Sequence, residues 1–248
     1  MGAIEKKILT KDYLTKSNLP ASDYVVNPYV GCPHACKYCY ARFMKRFTGH
    51  TEAWGDFIDI KYSNKPINLK KLKGKSLFLS SVTDCYNPYE SKYGITRNIL
   101  EQLVDADCRI TISTKSDLVV RDIDILKRLP QLKVALSLNT LDEQFRSDMD
   151  KGSTVLQRLK AIEQLHEAGI YTVLFMSPIF PYITEWQKIM ETTKNIVDEY
   201  SEIYIHKDNA YWADLAKTLH EYCEKAQLNY VNFFYHDELV RQKVNKNG

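Results

Sequence analysis

The chain has 248 residues, six cysteines and a net charge of +3, which fits one domain with a sizeable core. No apolar run approaches the ~20 residues of a membrane span, and residues 1–16 hold no signal-type apolar stretch. The cysteines therefore read as reduced thiols and ligands in a cytoplasmic setting, not as a disulfide framework. The charge excess is too small to name a nucleic-acid partner.

In chain order, polar residues 1–23, with Lys6, Lys7, Lys11 and Lys16, are expected as an extended lead-in to a single domain over 24–248. Residues 24–30 read as a first strand, broken by Pro28, and residues 40–47 as a helix bearing Arg42, Lys45 and Arg46. A short extended piece is expected over 54–62. The lysine-rich stretch 65–75, with Ile67, Leu69 and Leu72, suggests an amphipathic surface helix. Strand and helix then alternate. Strands are expected at 76–83, 109–114, 133–139, 171–180 and 203–206, and helices at 94–104, 118–129, 154–168, 184–200 and 212–225. Gly169 marks the end of one helix, and Thr184 with Gln187 has the pattern of a capping box at the start of another. Six strands joined by helical crossovers predict an α/β fold, a partial (β/α)6 TIM-like barrel of parallel strands.

The stretch Gly31-Cys32-Pro33-His34-Ala35-Cys36-Lys37-Tyr38-Cys39-Tyr40 carries the chemistry. Cys32, Cys36 and Cys39, spaced C-x3-C-x2-C, cannot all pair as disulfides, but they can converge on a metal centre. Closed zinc sites and all-protein iron–sulfur sites take four ligands, and no fourth cysteine follows in the pattern. The simplest reading is a four-iron cluster with one iron left open to a small molecule. A zinc knuckle is the alternative. His34 is expected as a loop or surface residue. Because barrel chemistry sits at the C-terminal ends of strands, the tips carrying Ser81, Lys115, Ser137, Pro178 and Ile179 are candidates for a zwitterionic cofactor. There a lysine pairs a carboxylate and small hydroxyls hydrogen-bond.

The cysteine spacing resembles that of the radical S-adenosylmethionine (SAM) enzymes. The runs NPYVGCPHACKYCYAR (27–42), TDCYNPYE (83–90), ISTKSDLVVRDIDILKRL (112–129), VALSLNT (134–140) and HEAGI (166–170) are similar to the spore photoproduct lyase-like branch. Within it, the chain looks closest to the small members encoded as a pair on mobile elements. The resemblance implies a [4Fe–4S] cluster on Cys32, Cys36 and Cys39 with SAM on the open iron. Reductive cleavage then gives a 5′-deoxyadenosyl radical that takes hydrogen from a substrate, with the lyase or transferase type left open. The resemblance carries SAM contacts to Lys115 and Ser137, although Ser137 also suits a barrel layer. It gives Tyr38 a place over the cluster and adenine. Tyr40 is either a hydrogen-atom relay or a packing aromatic. Cys85, just after the second strand, is either a hydrogen-atom donor or a buried small hydrophobe. One departure is Pro181-Tyr182-Ile183, where many relatives have a glycine after the proline.

The expected partners are a reductant such as flavodoxin or ferredoxin and an unidentified substrate. Nucleic acid is a candidate, on the branch's DNA-repair precedent and on the Arg42, Lys45 and Arg46 cations among tyrosines. The alternatives are a peptide-modifying radical SAM enzyme and a non-catalytic iron–sulfur or zinc-binding partner protein.

Overall fold

The computed structural model describes residues 2–19, 22–203 and 209–233. In chain order its strands are β1 (Ile4–Thr10), β2 (Leu14–Lys16), β3 (Tyr24–Val26), β4 (Tyr29–Val30), β5 (Phe57–Ser63), β6 (Lys75–Leu79), β7 (Cys108–Thr114), β8 (Leu132–Ser137), β9 (Tyr171–Met176), β10 (Glu199–Ile203) and β11 (Asn229–Phe233). The α-helices are α1 (Glu90–Tyr93), α2 (Ile95–Leu103), α3 (Ile123–Leu126), α4 (Glu143–Met149), α5 (Val155–Glu167), α6 (Trp186–Thr193) and α7 (Asn209–Lys225). Short 3-10 helices cover Tyr40–Phe47, Leu69–Lys71 and Asp117–Asp122.

The main sheet runs β11-β10-β9-β8-β7-β6-β3-β2, parallel throughout except for the β2–β3 pair. It is the expected partial barrel: parallel strands whose crossovers bury both faces and whose ends converge on one mouth. β8 and β9 are buried along nearly their whole length, which explains their unbroken apolar sequence. Ile99, Leu100 and Leu103 of α2 and Ile162 and Leu165 of α5 pack with Leu77, Ile110, Ile112 and Val134 in one core. The start of α5 is fixed by a reciprocal cap. The Gln157 N–H donates to Thr154 Oγ1 at 3.2 Å, and the Thr154 N–H donates to Gln157 Oε1 at 2.9 Å.

Several expectations need correction. Residues 65–75 form no amphipathic helix: Pro66 and Gly74 confine the turn to Leu69–Lys71, capped by Asn68. Thr184 caps nothing. Its hydroxyl accepts the Phe180 N–H and donates to the Asn139 carbonyl, both at 3.0 Å, joining the loop after β9 to the loop after β8. The helix expected over 184–200 stops at Thr193, and the sixth strand begins at Glu199, with the fully buried Tyr200 donating to the Met190 carbonyl at 3.2 Å. Residues 204–206 lie outside the described residues. The N-terminal stretch is extended and builds structure: β1 pairs in parallel with β5 over seven residues, and β5 pairs antiparallel with β4. This small second sheet stands beside the mouth and frames the cysteine loop.

Candidate active site

β4 hands the chain to the cysteine loop at Gly31, whose φ is +86°. A Cβ there would lie 2.4 Å from the Phe57 carbonyl oxygen, so both conformation and space require glycine. Two turns follow, Ala35 N–H to the Cys32 carbonyl (3.0 Å) and Cys39 N–H to the Cys36 carbonyl (3.1 Å). They leave Cys32 and Cys36 buried and Cys39 partly exposed. The loop is tied to the segment after α4 by Lys37 N–H to the Met149 carbonyl (2.9 Å) and Lys151 N–H to the His34 carbonyl (2.7 Å). Thr83 Oγ1 donates to the Gly31 carbonyl (2.7 Å), and Arg42 donates to that of Cys36 (2.9 Å).

Two buried carboxylates hold this arrangement from beneath. Asp84 accepts from Thr114 Oγ1 (2.7 Å), the Lys115 N–H (2.8 Å) and the Tyr86 N–H (2.9 Å), and His34 Nδ1 lies 3.2 Å from its Oδ2. The His34 contact is close but not an aligned hydrogen bond. Burial works against the charge of Asp84, yet His34 and the donors prevail and hold its carboxyl down at about 2. His34 is 2% exposed, so it is a buried loop residue and not a surface one. Asp150 accepts from Arg158 Nη2 (2.5 Å), the Gly152 N–H (2.9 Å) and Tyr38 Oη (3.1 Å). Arg158 is wholly buried and also donates to the carbonyls of Ser153 (2.8 Å) and Ser137 (3.1 Å). Burial again opposes ionisation of Asp150, and the charges of Arg158 and Lys115 overcome it, leaving the carboxyl below its ordinary range.

Most of the residues singled out in the sequence gather here. Lys115 Nζ stands 5.7 Å from the Tyr38 ring centre, and the Tyr38 ring meets Phe180 edge-on at 5.7 Å. Ser137 is buried at the tip of β8, with its carbonyl on Arg158. Ser81 accepts from Asn27 Nδ2 (2.9 Å) and its carbonyl takes the Tyr40 hydroxyl. Ile179 is buried, and the Pro178 carbonyl accepts from Asn139 Nδ2 (3.1 Å). Tyr40 is 59% exposed as a residue, and its hydroxyl is engaged on the Ser81 carbonyl; desolvation, then Cys39, pushes its pKa up to about 12. Cys85 follows Asp84 directly in the chain. It is fully buried in the hydrophobic core, with burial and then the charge of Asp84 pushing its thiol well up. Cys108 and Cys223 are also buried.

Three soft sulfur donors on one loop fit an iron–sulfur cluster. Among the described residues, no three His, Cys, Asp or Glu side chains gather tightly enough to share a single metal ion. A cubane spreads its protein thiolates over separate irons, unlike a mononuclear zinc centre. Burial pushes the Cys32 thiol well up and, against the lowering charge of Lys115, brings Cys36 to about 11. A coordinating metal would deprotonate these thiols in spite of that burial.

A parallel partial barrel with a three-cysteine loop at its mouth defines a class of α/β enzyme. The comparisons make the class specific. Residues 26–194 match the family model of the Radical SAM superfamily. An uncharacterized protein of Methanocaldococcus jannaschii is 38% identical over 197 residues, 78% of this chain and 74% of that protein. The chain belongs to the radical SAM superfamily. It is similar to a radical SAM Nα-GlyT isomerase of Pseudomonas phage M6, 28% identical over 163 residues, 64% of this chain and 34% of that protein. Among solved structures, spore photoproduct lyase complexed with dinucleoside spore photoproduct shares the fold, with a TM-score of 0.68 at 14% identity over 92% of this chain and 82% of that one. SuiB of Streptococcus suis bound to S-adenosylmethionine gives 0.53 at 16% identity, covering 65% and 40%. Superfamily membership makes this chain an enzyme that works with a [4Fe–4S] cluster and SAM to start radical chemistry.

Proposed function

We propose that Cys32, Cys36 and Cys39 each hold one iron of the cluster, that its fourth iron takes SAM, and that the substrate is nucleic acid. The observation that supports this most is the joining of the cysteine loop to the strand tips of Lys115 and Ser137 through Asp84, Asp150 and Arg158. A reduced cluster held by these three thiolates would supply the electron for reductive cleavage of SAM, and with it the means of taking hydrogen from the substrate.

The chain's own residues do the rest. The Lys115 ammonium, beside the Tyr38 ring, pairs the methionyl carboxylate. Tyr38, held by Asp150, covers the adenine side, and Ser137 and Ser81 offer hydroxyls to the ribose or amino acid. Pro178 and Ile179 give the adenine an apolar wall. The burial of Cys85 in the core favours Tyr40 over Cys85 as the side chain that relays a hydrogen atom.

Nucleic acid is supported by the surface of the 3-10 helix Tyr40–Phe47. Phe43 and Phe47 are exposed, and the Arg46 guanidinium lies 5.5 and 4.7 Å from their ring centres. Exposed aromatics interleaved with cations suit stacked bases on a phosphate backbone. The partly exposed Cys39 is where a flavodoxin or ferredoxin delivers the electron. In an anaerobic assay, reconstituted and reduced protein forms 5′-deoxyadenosine from SAM, Cys36→Ala forms none, and single-stranded DNA raises the rate. Cleavage surviving in Cys36→Ala contradicts the cluster assignment. Stimulation by peptides and by no nucleic acid contradicts the substrate.

A further inference from the structure

A cavity of about 390 Å³ lies between the small sheet, the end of β3 and the 3-10 helix Tyr40–Phe47. Its walls include Tyr29, Val30, Met44 and Val82, with Lys61 as the one charged residue among the described residues that line it. The size suits a nucleotide-scale group. Asn27 fixes the wall in advance: its amide donates to Ser81 Oγ (2.9 Å) and accepts the Val82 N–H (3.0 Å), joining the ends of β3 and β6. Asn27 is thus committed to the scaffold.

Lys61 is in a different position. Its backbone is spent, the N–H on the Pro28 carbonyl (3.1 Å) and the carbonyl on Tyr13 Oη (3.3 Å). Its ammonium makes no hydrogen bond or ion pair among the described residues. Burial pushes its pKa down, with the charge of Asp59, two residues away, opposing. A lysine without a partner in a partly desolvated cavity is costly to the fold, and an anionic ligand removes the cost. The cavity also opens beside the candidate active site, because Ser81 lines it while its carbonyl holds the Tyr40 hydroxyl.

We infer that this cavity binds a phosphate-bearing unit of the substrate, with Lys61 pairing the phosphodiester. The inference rests on the nucleic-acid reading above and adds where one backbone charge sits. Phosphate is favoured over carboxylate on two grounds. A single ammonium point charge pairs either anion, so the first ground is the cavity's size, which suits a nucleotide unit better than a lone carboxylate. In addition, Met44 in the wall belongs to the same helix as the Phe43, Arg46 and Phe47 surface, so a strand stacked there passes the cavity.

The test is fluorescence anisotropy of the anaerobically reconstituted protein with a fluorescein-labelled single-stranded oligonucleotide across a salt series. Lys61→Met weakens binding about tenfold and lowers the salt slope by roughly 0.7, the loss of one backbone contact. Lys61→Arg keeps most of the affinity. Lys127→Met, an equal charge change at an exposed position, leaves affinity unchanged. Met44→Trp narrows the cavity while keeping the charge of Lys61, and it also weakens binding. Near-UV circular dichroism confirms that each variant is folded. If folded Lys61→Met binds with wild-type affinity and slope while Arg46→Ala and Phe47→Ala weaken binding, the cavity assignment fails and the nucleic-acid reading stands. If the oligonucleotide does not bind the wild type at all, both fail. If Lys61→Met weakens only an acidic peptide, the anion is a carboxylate and the phosphate assignment is overturned.

Discussion

Two networks of buried carboxylate and arginine are built from the same parts and serve different ends. In one, Glu90 accepts from Tyr29 Oη (2.5 Å), the Thr96 N–H (2.8 Å) and Arg121 Nη2 (2.7 Å), while Asp122 pairs with Arg97 and Arg121 at 2.8 Å. Its arginines keep an edge in water, at 34% and 29% exposure, and Glu90 satisfies amides at the start of α2. In the other, Arg158 is 0% exposed, and Asp150 joins it to Tyr38 in the cysteine loop. The first network holds helices to a sheet. The second holds a sequence-distant loop over the mouth, so it couples stability to cofactor geometry.

Breaking the second network therefore has the larger effect. Asp150→Ala strands the Arg158 guanidinium and is expected to cost about 3–5 kcal/mol. SAM cleavage by the remaining folded protein drops with it, as urea unfolding and 5′-deoxyadenosine assays on the same samples will report. Gly31→Ala tests the loop's entry: positive φ and the clash with the Phe57 carbonyl together cost on the order of 1–3 kcal/mol, read as a lower urea midpoint and poorer iron incorporation. Glu90→Gln probes the first network. It weakens several charge-assisted bonds and costs about 1–3 kcal/mol, while SAM cleavage per folded molecule stays within about twofold of wild type. A proportional loss of cleavage there would erase the distinction between the networks.

The smallest expected effect lies in the frame. His50 stacks on Phe57 (4.0 Å between ring centres) and bonds Glu52 and Asp59, each at 2.9 Å. Burial disfavours its charged form, but the two carboxylates prevail and raise its pKa above 6.5. The raised value means that this contribution is fully present below about pH 6.5 and is lost as pH rises through the folded pKa. The wild type's advantage in Tm over His50→Phe should accordingly shrink between about pH 6 and pH 9.

Legibility in the sequence followed side-chain patterning. β6 to β9 carry apolar runs or alternation, and the cysteines declare their spacing, so the barrel and its mouth were readable. β1 was not, since most of its residues are exposed and backbone pairing with β5 makes it a strand. No pattern in the sequence marks α4 or β11, and α6 is shorter than the sequence suggests because Tyr200 sits in β10. At the site, Lys115, Ser137 and Tyr38 stood out by position. His34, Asp84, Asp150 and Arg158 did not. A charged residue on a helix or in a loop reads as solvated until folding shows it paired. For Asp84, its place just after a strand tip was the available signal. Asp150 and Arg158, eight residues apart across a loop and a helix start, gave none.

The most direct test of the three-cysteine cluster is metal content combined with electron paramagnetic resonance. After anaerobic reconstitution with iron and sulfide, a three-cysteine cluster gives about four irons per chain, as one cubane requires. The spectrum of the reduced cluster then changes when SAM is added. One zinc per chain, no bound iron and no response to SAM would contradict it.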